Sequence, residues 1–112
     1  MSAQFVQDGK SIDYTPSSAV TAGDVVLQGD LIGIAKLDIA ANQLGALAIE
    51  GVFDFPKATG TSTGIAAGAI CYWDVADQQA KTDSETGANK KLGKCILAAA
   101  DAAATVRIKL DQ

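Results

Sequence analysis

Short apolar runs separated by turn-forming residues recur along the whole chain. The clearest is Thr105–Leu110, where Val106, Ile108 and Leu110 alternate with polar or charged residues. A period of two places one set of side chains on a buried face and the other in solvent, which is typical of a β-strand. The sequence predicts eight strands, at Phe5–Gln7, Ser11–Tyr14, Val25–Gln28, Leu31–Ala35, Leu47–Phe53, Ile70–Asp74, Gly93–Ala98 and Thr105–Leu110.

Turn chemistry and Ala-rich segments fill the spaces between these strands. Asp8-Gly9, Gly29-Asp30 and the segment Gly60–Gly64 have the residues that turns prefer. Two Ala-rich stretches, Asp38–Gly45 and Ala98–Ala104, have helical propensity. Each is only about two turns long, below the length at which isolated helices persist. We therefore predict loops or single turns there, and an all-β fold with short helical turns at most.

Three blocks of sequence return in the same order in the second half of the chain. Val20–Val26 matches Ile65–Cys71, Leu31–Ala35 matches Lys91–Cys95, and Ala46–Glu50 matches Thr105–Lys109. Two similar three-stranded units in a chain of this length indicate a small β-barrel or sandwich with a pseudo-twofold internal repeat. Chance similarity in a chain rich in Ala and Gly is the alternative.

The length of 112 residues fits one domain. We expect residues 1–18 to form an N-terminal arm or edge segment and residues 19–112 to form a single barrel or sandwich domain. Aromatic residues make up 5% of the chain, so the core must be built mostly from small side chains that each contribute little burial energy. Association between subunits would add stability.

The formal net charge is −4, and the basic residues are mostly scattered. Nucleic-acid binding depends on neutralising phosphates, so this chain is a poor candidate for it. The one basic cluster, Lys90, Lys91 and Lys94, is interpreted as a solvated loop leading into a strand. No run of 18 apolar residues and no basic leader occurs, so we expect a cytoplasmic protein that does not span a membrane.

Catalytic equipment is scarce. The chain has no His, which excludes His-based acid–base chemistry and argues against a zinc site. Cys71 and Cys95 lie in apolar runs and are interpreted as buried, reduced thiols. Gly87–Cys95 resembles a phosphate loop, but five residues separate its glycines and no Ser or Thr follows Lys94. We predict no enzymatic activity, no metal and no cofactor.

Carboxylates are the remaining candidates for chemistry. Asp74 and Asp77, or Asp83 and Glu85, could pair as acid and base or hold a hard cation. They fall in the polar stretch Asp74–Asn89, which we interpret as a loop, and acidic residues in loops commonly cap turns and contact water. A carboxylate-based hydrolase built there requires at least one carboxyl with a raised pKa.

Four large aromatic residues form a candidate interface group. Phe53 and Phe55 are two residues apart and must point the same way from a strand, whereas Tyr72 and Trp73 must point to opposite faces. Only one of the latter two can therefore fill the core. Trp and Tyr are enriched at interface hot spots, but these residues could equally cap the open ends of a small barrel.

Seven segments, taken in order, resemble one family of small tailed-bacteriophage proteins, the capsid decoration or cement proteins. They are Phe5–Gln7 (FVQ), Val20–Val26 (VTAGDVV), Leu31–Ala35 (LIGIA), Ala48–Lys57 (AIEGVFDFPK), Gly68–Asp74 (GAICYWD), Leu92–Ala98 (LGKCILA) and Ala104–Leu110 (ATVRIKL). The similarity runs over essentially the whole chain. Members are sometimes labelled predicted recombinases, a label at odds with the missing phosphate loop.

The resemblance implies a β-rich structural protein that attaches to the outside of the expanded phage head, in trimers at local threefold positions. Its partners would be the major capsid protein and two further copies of itself, and its location the virion surface after assembly in the host cytoplasm. We add a hypothesis: the arm, with Phe5, Val6, Ile12 and Tyr14, pairs with a capsid strand by strand addition. The rival is a small barrel that binds a sugar or peptide through Tyr72, Trp73 and Gly60–Gly64.

Overall fold

The computed structural model describes residues 2–5, 7 and 9–112. Strands account for 46% of the chain and helical turns for 3%, which confirms the predicted all-β class. The strands of the described residues are β1 Ser11–Tyr14, β2 Val25–Gln28, β3 Leu31–Ala35, β4 Gly45–Ala48, β5 Gly51–Pro56, β6 Ile70–Asp74, β7 Gln79–Lys81, β8 Lys90–Leu97 and β9 Thr105–Leu110.

Most predicted strands occur where alternation placed them, and three predictions were wrong. The strand expected at Leu47–Phe53 is two strands, because the chain breaks between Ala48 and Gly51, and Gly51 has a φ of +126° that favours glycine. The polar stretch expected to be a loop contains β7 and a short 3₁₀ turn, Glu85–Gly87. Phe5 and Gln7 lie outside any strand, and Val6 falls outside the described residues.

The basic cluster was also placed wrongly. β8 begins at Lys90, so Lys90, Lys91 and Lys94 all lie in a strand rather than in a loop before it. The Ala-rich segments between β3 and β4 and between β8 and β9 are irregular, as expected, and each contributes one isolated bridge, at Ile39 and Ala99. In both cases the segment is held by a tertiary hydrogen-bonding partner.

The chain forms two compact units. The first comprises the described residues up to Val26 together with Gly33–Glu50, and the second comprises Leu27–Ile32 and Gly51–Gln112. The boundary predicted at residue 18 and the single domain after it stay predictions.

The four-stranded sheet with the order β1-β4-β3-β2 belongs to the first unit except for the residues of β2 and β3 that fall within Leu27–Ile32. β1 is therefore an edge strand; it pairs antiparallel with β4, from Ser11 opposite Ala48 to Tyr14 opposite Gly45. Close packing between β3 and β4 depends on Gly33, because a Cβ there would lie 2.7 Å from the Cβ of Leu47. The buried apolar side chains of this unit are Ile34, Ala35, Ile39, Leu47 and Ala48.

The second unit is a five-stranded antiparallel sheet with the order β5-β9-β8-β6-β7. A parallel bridge between Lys57, just after β5, and Ala80 in β7 links the two edge strands, so the sheet closes on itself like a small barrel. β9 alternates strictly between exposed and buried residues, as predicted. The largest fully buried side chains of this unit include Leu92, Val106, Ile108 and Leu110.

The internal repeat predicted from the sequence is confirmed in the strand order and in the backbone hydrogen bonds. The order β1-β4-β3-β2 of the first sheet corresponds to β5-β9-β8-β6 in the second. Val20 and Ile39 exchange two bonds of 2.8 Å, and the matching residues Ile65 and Ala99 exchange bonds of 2.9 and 2.8 Å. The second copy differs by β7, which has no equivalent between β2 and β3.

A second set of bonds follows the same correspondence. The Gly23 amide donates to the carbonyl of Ala35, and the Gly68 amide donates to the carbonyl of Cys95, both over 2.6 Å. Both glycines have a positive φ, +95° and +87° respectively. The turn before each of the two related strands therefore needs the backbone freedom of glycine at the same position.

Candidate interaction surfaces

Three of the four candidate interface aromatics pack together in the second unit. The rings of Phe53 and Phe55 are 6.3 Å apart and edge-on, and those of Phe55 and Trp73 are 6.0 Å apart and tilted. These separations lie in the range of favourable aromatic pairs. Phe55 and Trp73 are each 2% exposed, whereas Phe53 is half-buried. Two of the three rings are therefore core residues of this unit.

Tyr72 lies on the opposite face of β6 from Trp73, as the alternation predicted, and is half-buried. The surface that this group offers to a partner is confined to Tyr72 and Phe53. A role for the four aromatic residues in a contact between subunits stays a prediction, and only Tyr72 and Phe53 have exposed surface for it. The indole Nε1 of Trp73 is buried without a hydrogen-bond acceptor among the described residues.

The candidate arm residues lie in and before β1. Ile12 and Tyr14 are half-buried and alternate with exposed Ser11 and Asp13. Phe5 is 84% exposed, and Val6 lies outside the described residues. Because β1 is the edge of its sheet, one side of its backbone has no strand partner among the described residues. The contact of these residues with a capsid stays a prediction.

The backbone of β1 shows which groups face its free side. The Ile49 amide donates to the carbonyl of Lys10, so Lys10 belongs to the set of residues bonded to β4. Antiparallel pairing alternates along a strand, and Ser11 and Asp13 therefore direct their amides and carbonyls outward. The Gln7 side-chain amide donates to the Ser11 carbonyl over 3.0 Å, in agreement with this outward direction.

Lys57 ties together the loops at one end of the second unit. Its side chain is buried, and its Nζ donates to the carbonyl of Ala58 at 2.6 Å, to Thr63 Oγ1 at 3.3 Å and to the carbonyl of Asp101 at 3.4 Å. The Asp101 carboxylate in turn accepts from the Gly64 amide at 2.7 Å. The loop Gly60–Gly64 is thus held by bonds that satisfy a buried ammonium group.

The sugar or peptide alternative required this loop to act with Tyr72 and Trp73. A cavity of about 330 Å³ does lie beside the loop, and its walls include Lys57, Thr63 and Lys81. Neither Tyr72 nor Trp73 contributes to those walls. The described structure therefore does not bring the three parts of that predicted site together.

Two of the four candidate carboxylates in the stretch Asp74–Asn89, Asp74 and Asp77, are engaged in ion pairs. Lys81 Nζ lies 2.7 Å from Asp74 Oδ2 and 2.6 Å from Asp77 Oδ2. The hydrogen bond from Lys81, supported by one from the Asp77 amide, lowers the pKa of Asp74. A hydrolase acid needs the opposite shift. The described residues contain no group of three or more potential metal-ligating carboxylates or thiols.

The outward face of the second unit carries a row of exposed residues that crosses four strands. Val52 in β5 is opposite Lys109 in β9, Lys109 is opposite Lys94 in β8, and Lys94 is opposite Ile70 in β6. We call these four residues the lysine row. Val52 is 52% exposed and Ile70 43%. The sequence showed that Lys109 is on a wet face but not that Lys94 lies beside it, because that depends on strand register.

An ion pair borders the lysine row. Asp54 and Arg107 are directly opposite each other, with Arg107 Nε 3.0 Å from Asp54 Oδ1 and a second bond of 3.3 Å from the terminal nitrogen to Oδ2. The hydrogen bonds from Arg107 lower the pKa of Asp54. Arg107 is therefore neutralised locally by Asp54.

A family model described as a phage cement protein matches residues 6–110. The chain belongs to this family. The match spans both copies of the internal repeat and all nine strands, and it confirms the resemblance drawn from the seven segments. No curated protein and no solved structure matches the chain.

Cement proteins are structural components of the phage capsid, not enzymes. The features of this cement protein agree with a structural role, because Lys81 holds Asp74 and Asp77 in ion pairs and the buried Lys57 holds loops in place. Among the described residues, no helix has the length and apolar content that crossing a membrane would require.

Proposed function

We propose that this cement protein decorates and stabilises the outer surface of a tailed-phage capsid, as a homotrimer at local threefold positions. The family match over residues 6–110 carries the proposal. Capsid subunits form a repeating lattice, so a trimer has three attachments, and multivalency raises the overall affinity by a factor of ~10²–10⁴. The protein has no catalytic role and resides in the host cytoplasm until the head is assembled.

The small core supports association between copies. Among the described residues, the largest fully buried side chains are aliphatic ones and two cysteines: Ile32, Leu47, Leu92, Ile108, Leu110, Val106, Cys71 and Cys95. Half-buried Phe53 and Tyr72 retain aromatic surface that a neighbouring copy would cover. In this proposal they lie in the trimer seam, where removing them from water adds to the stability of each subunit.

The arm attaches to the capsid by strand addition along the free edge of β1. The outward amides and carbonyls of Ser11 and Asp13 supply the hydrogen bonds, and the exposed Phe5 supplies an apolar anchor before the strand. We include Val6 in the capsid contact because it follows Phe5 in the sequence. Ile12 and Tyr14, which are half-buried, hold β1 against its own sheet.

Cosedimentation with expanded capsids that lack a decoration protein tests the proposed role. We expect saturable binding and a higher temperature of capsid disruption in the presence of the protein. Light scattering should give three times the mass of one chain, either free or after release from capsids. A protein that neither sediments with such capsids nor alters their stability would refute decoration.

Substitution of Asp13 by Pro tests strand addition. The substitution removes an outward amide while leaving the bonds to β4 intact, and Pro is tolerated at strand edges. The matched control, Asp13→Ala, removes the same side chain but keeps the amide. We expect Asp13→Pro to lose capsid binding and Asp13→Ala to keep it, with similar melting temperatures; equal binding by the two variants contradicts the mechanism. Deletion of residues 2–14 is less informative, because it also removes a strand that β4 pairs with.

A further inference from the structure

The lysine row places two like charges next to each other, with an exposed apolar side chain at each end. Lys94 and Lys109 are directly opposite each other on neighbouring antiparallel strands, where like charges destabilise the pair. Exposed Val52 and Ile70 stand at the two ends of the same row. The result is a strip that follows the curve of the sheet, with positive charge at its centre and apolar side chains at its ends.

The chain contains enough carboxylates to neutralise the two lysines of this strip, but they are placed elsewhere. Acidic residues outnumber basic ones, 13 to 9. In the adjacent row an Asp is placed opposite Arg107, and elsewhere Lys81 and Lys90 are each paired with carboxylates. The ion pairs within 4.0 Å in the part of the chain that the structure describes include neither Lys94 nor Lys109. Their charge is thus available to a partner.

We propose that the lysine row docks onto an acidic, partly apolar surface of the capsid protein. This inference rests on the proposed function and names a second contact besides β1. Charge complementarity selects the partner: carboxylates of the capsid would relieve the repulsion between Lys94 and Lys109, while Val52 and Ile70 cover apolar surface at the margins.

Two other occupants fit the row less well. A twofold contact between two copies through this face would bring lysines against lysines, which electrostatic complementarity disfavours. Nucleic acid would be bound through phosphate contacts, and exposed Val52 and Ile70 at the ends of the row offer nothing to a phosphate backbone.

The variant Lys94→Glu distinguishes an effect on capsid binding from an effect on folding, because we expect it to weaken binding without lowering the stability of the isolated protein. In the isolated protein a Glu opposite Lys109 replaces a repulsive cross-strand pair with an attractive one, so the melting temperature should rise or stay the same. On capsids the same change should weaken binding by roughly tenfold or more, as charge reversal at a close interfacial pair does. The matched control, Lys36→Glu, makes the same change in net charge at an exposed lysine of the first unit.

The measurement is cosedimentation with DNA-free expanded capsids at several salt concentrations. We expect wild type and Lys36→Glu to bind alike, Lys94→Glu to bind weakly, and the difference to shrink as salt rises. Equal binding by the two variants overturns the inference, as does a requirement for packaged DNA. Loss of the trimer in Lys94→Glu also overturns it, since the row would then contact another copy. If wild type itself does not bind, the proposed function fails instead, and the two failures remain distinct.

Discussion

Phe55 in β5 and Trp73 in β6 meet in the interior of the second unit with their ring centres 6.0 Å apart, although β9 and β8 separate their strands in the sheet. Such a contact across the sheet requires the sheet to curve around it. The two rings are each 2% exposed and form the aromatic centre of a core that is otherwise aliphatic.

Phe55→Ala should reduce the free energy of unfolding by about 3–5 kcal/mol, the usual cost of emptying an aromatic site in a core. Phe53→Ala is the matched comparison, and it should cost clearly less because Phe53 is half-buried. Urea denaturation followed by Trp73 fluorescence measures both. A folded Phe55→Ala monomer of unchanged stability that no longer forms trimers would instead place Phe55 in the seam.

Gly93→Ala should be strongly destabilising, by about 1–3 kcal/mol or more. A Cβ at this position would overlap the carbonyl oxygen of Lys109 in the neighbouring strand, and backbone cannot move aside as a flexible side chain can. Gly9→Ala is the control, because a Cβ there meets no atom within 4 Å. Thermal denaturation of the two variants should show a large decrease for the first only; comparable melting temperatures would contradict the close strand approach.

Asp74→Asn should destabilise the protein at neutral pH and have little effect in strong acid. Lys81 lowers the pKa of Asp74 in the folded state, so this carboxylate stabilises the fold above the ordinary value of 3.8. The contribution is lost as the pH falls below 3.8 and through the lowered pKa. Unfolding curves at pH 7 and at pH 2 check this, with Asp83→Asn as a control outside the ion pair. A difference from wild type that persists unchanged at low pH would be inconsistent with the pairing.

The thiol of Cys71 should make stability fall in alkaline solution. Burial, with a smaller effect of the neighbouring Cys95, raises the pKa of Cys71 to about 11 from 9.0. Between these values the unfolded chain loses this proton while the folded chain keeps it, so the free energy of unfolding decreases as the pH rises from about 9 to about 11. Cys71→Ala should flatten this part of the curve. Other groups titrate in the same range, so the informative quantity is the difference between variant and wild type.

Local pattern was enough to predict much of this fold. β1, β2, β3, β6 and β9 have the predicted bounds, because each is a short alternating or apolar run between turn residues. The repeat was visible because both copies need glycine at the same turn, as Gly23 and Gly68 show. The break between β4 and β5 was missed because apolar residues continue through Ile49, and the Glu50-Gly51 pair was the available signal.

The candidate surfaces were harder to predict, because they depend on which strands become neighbours. Alternation correctly separated Tyr72 from Trp73, but only the tertiary fold shows that Trp73 packs on Phe55. The same holds for Lys94 and Lys109, which are 15 positions apart in the chain and adjacent in the sheet. β7 was missed because Gln79–Lys81 is short and polar and becomes a strand by pairing with β6.

The backbone hydrogen bonds of the two repeats match, so a comparison of equivalent positions shows which side chains the same backbone site accepts. Ala35 in the first half and Cys95 in the second make the same backbone hydrogen bonds. The same is true of Val20 and Ile65. Each half thus shows what a given backbone position accepts when selection acts on a different local environment. A cysteine-free form for site-specific labelling of capsids could start from Ala at position 95, a choice already made once within the chain.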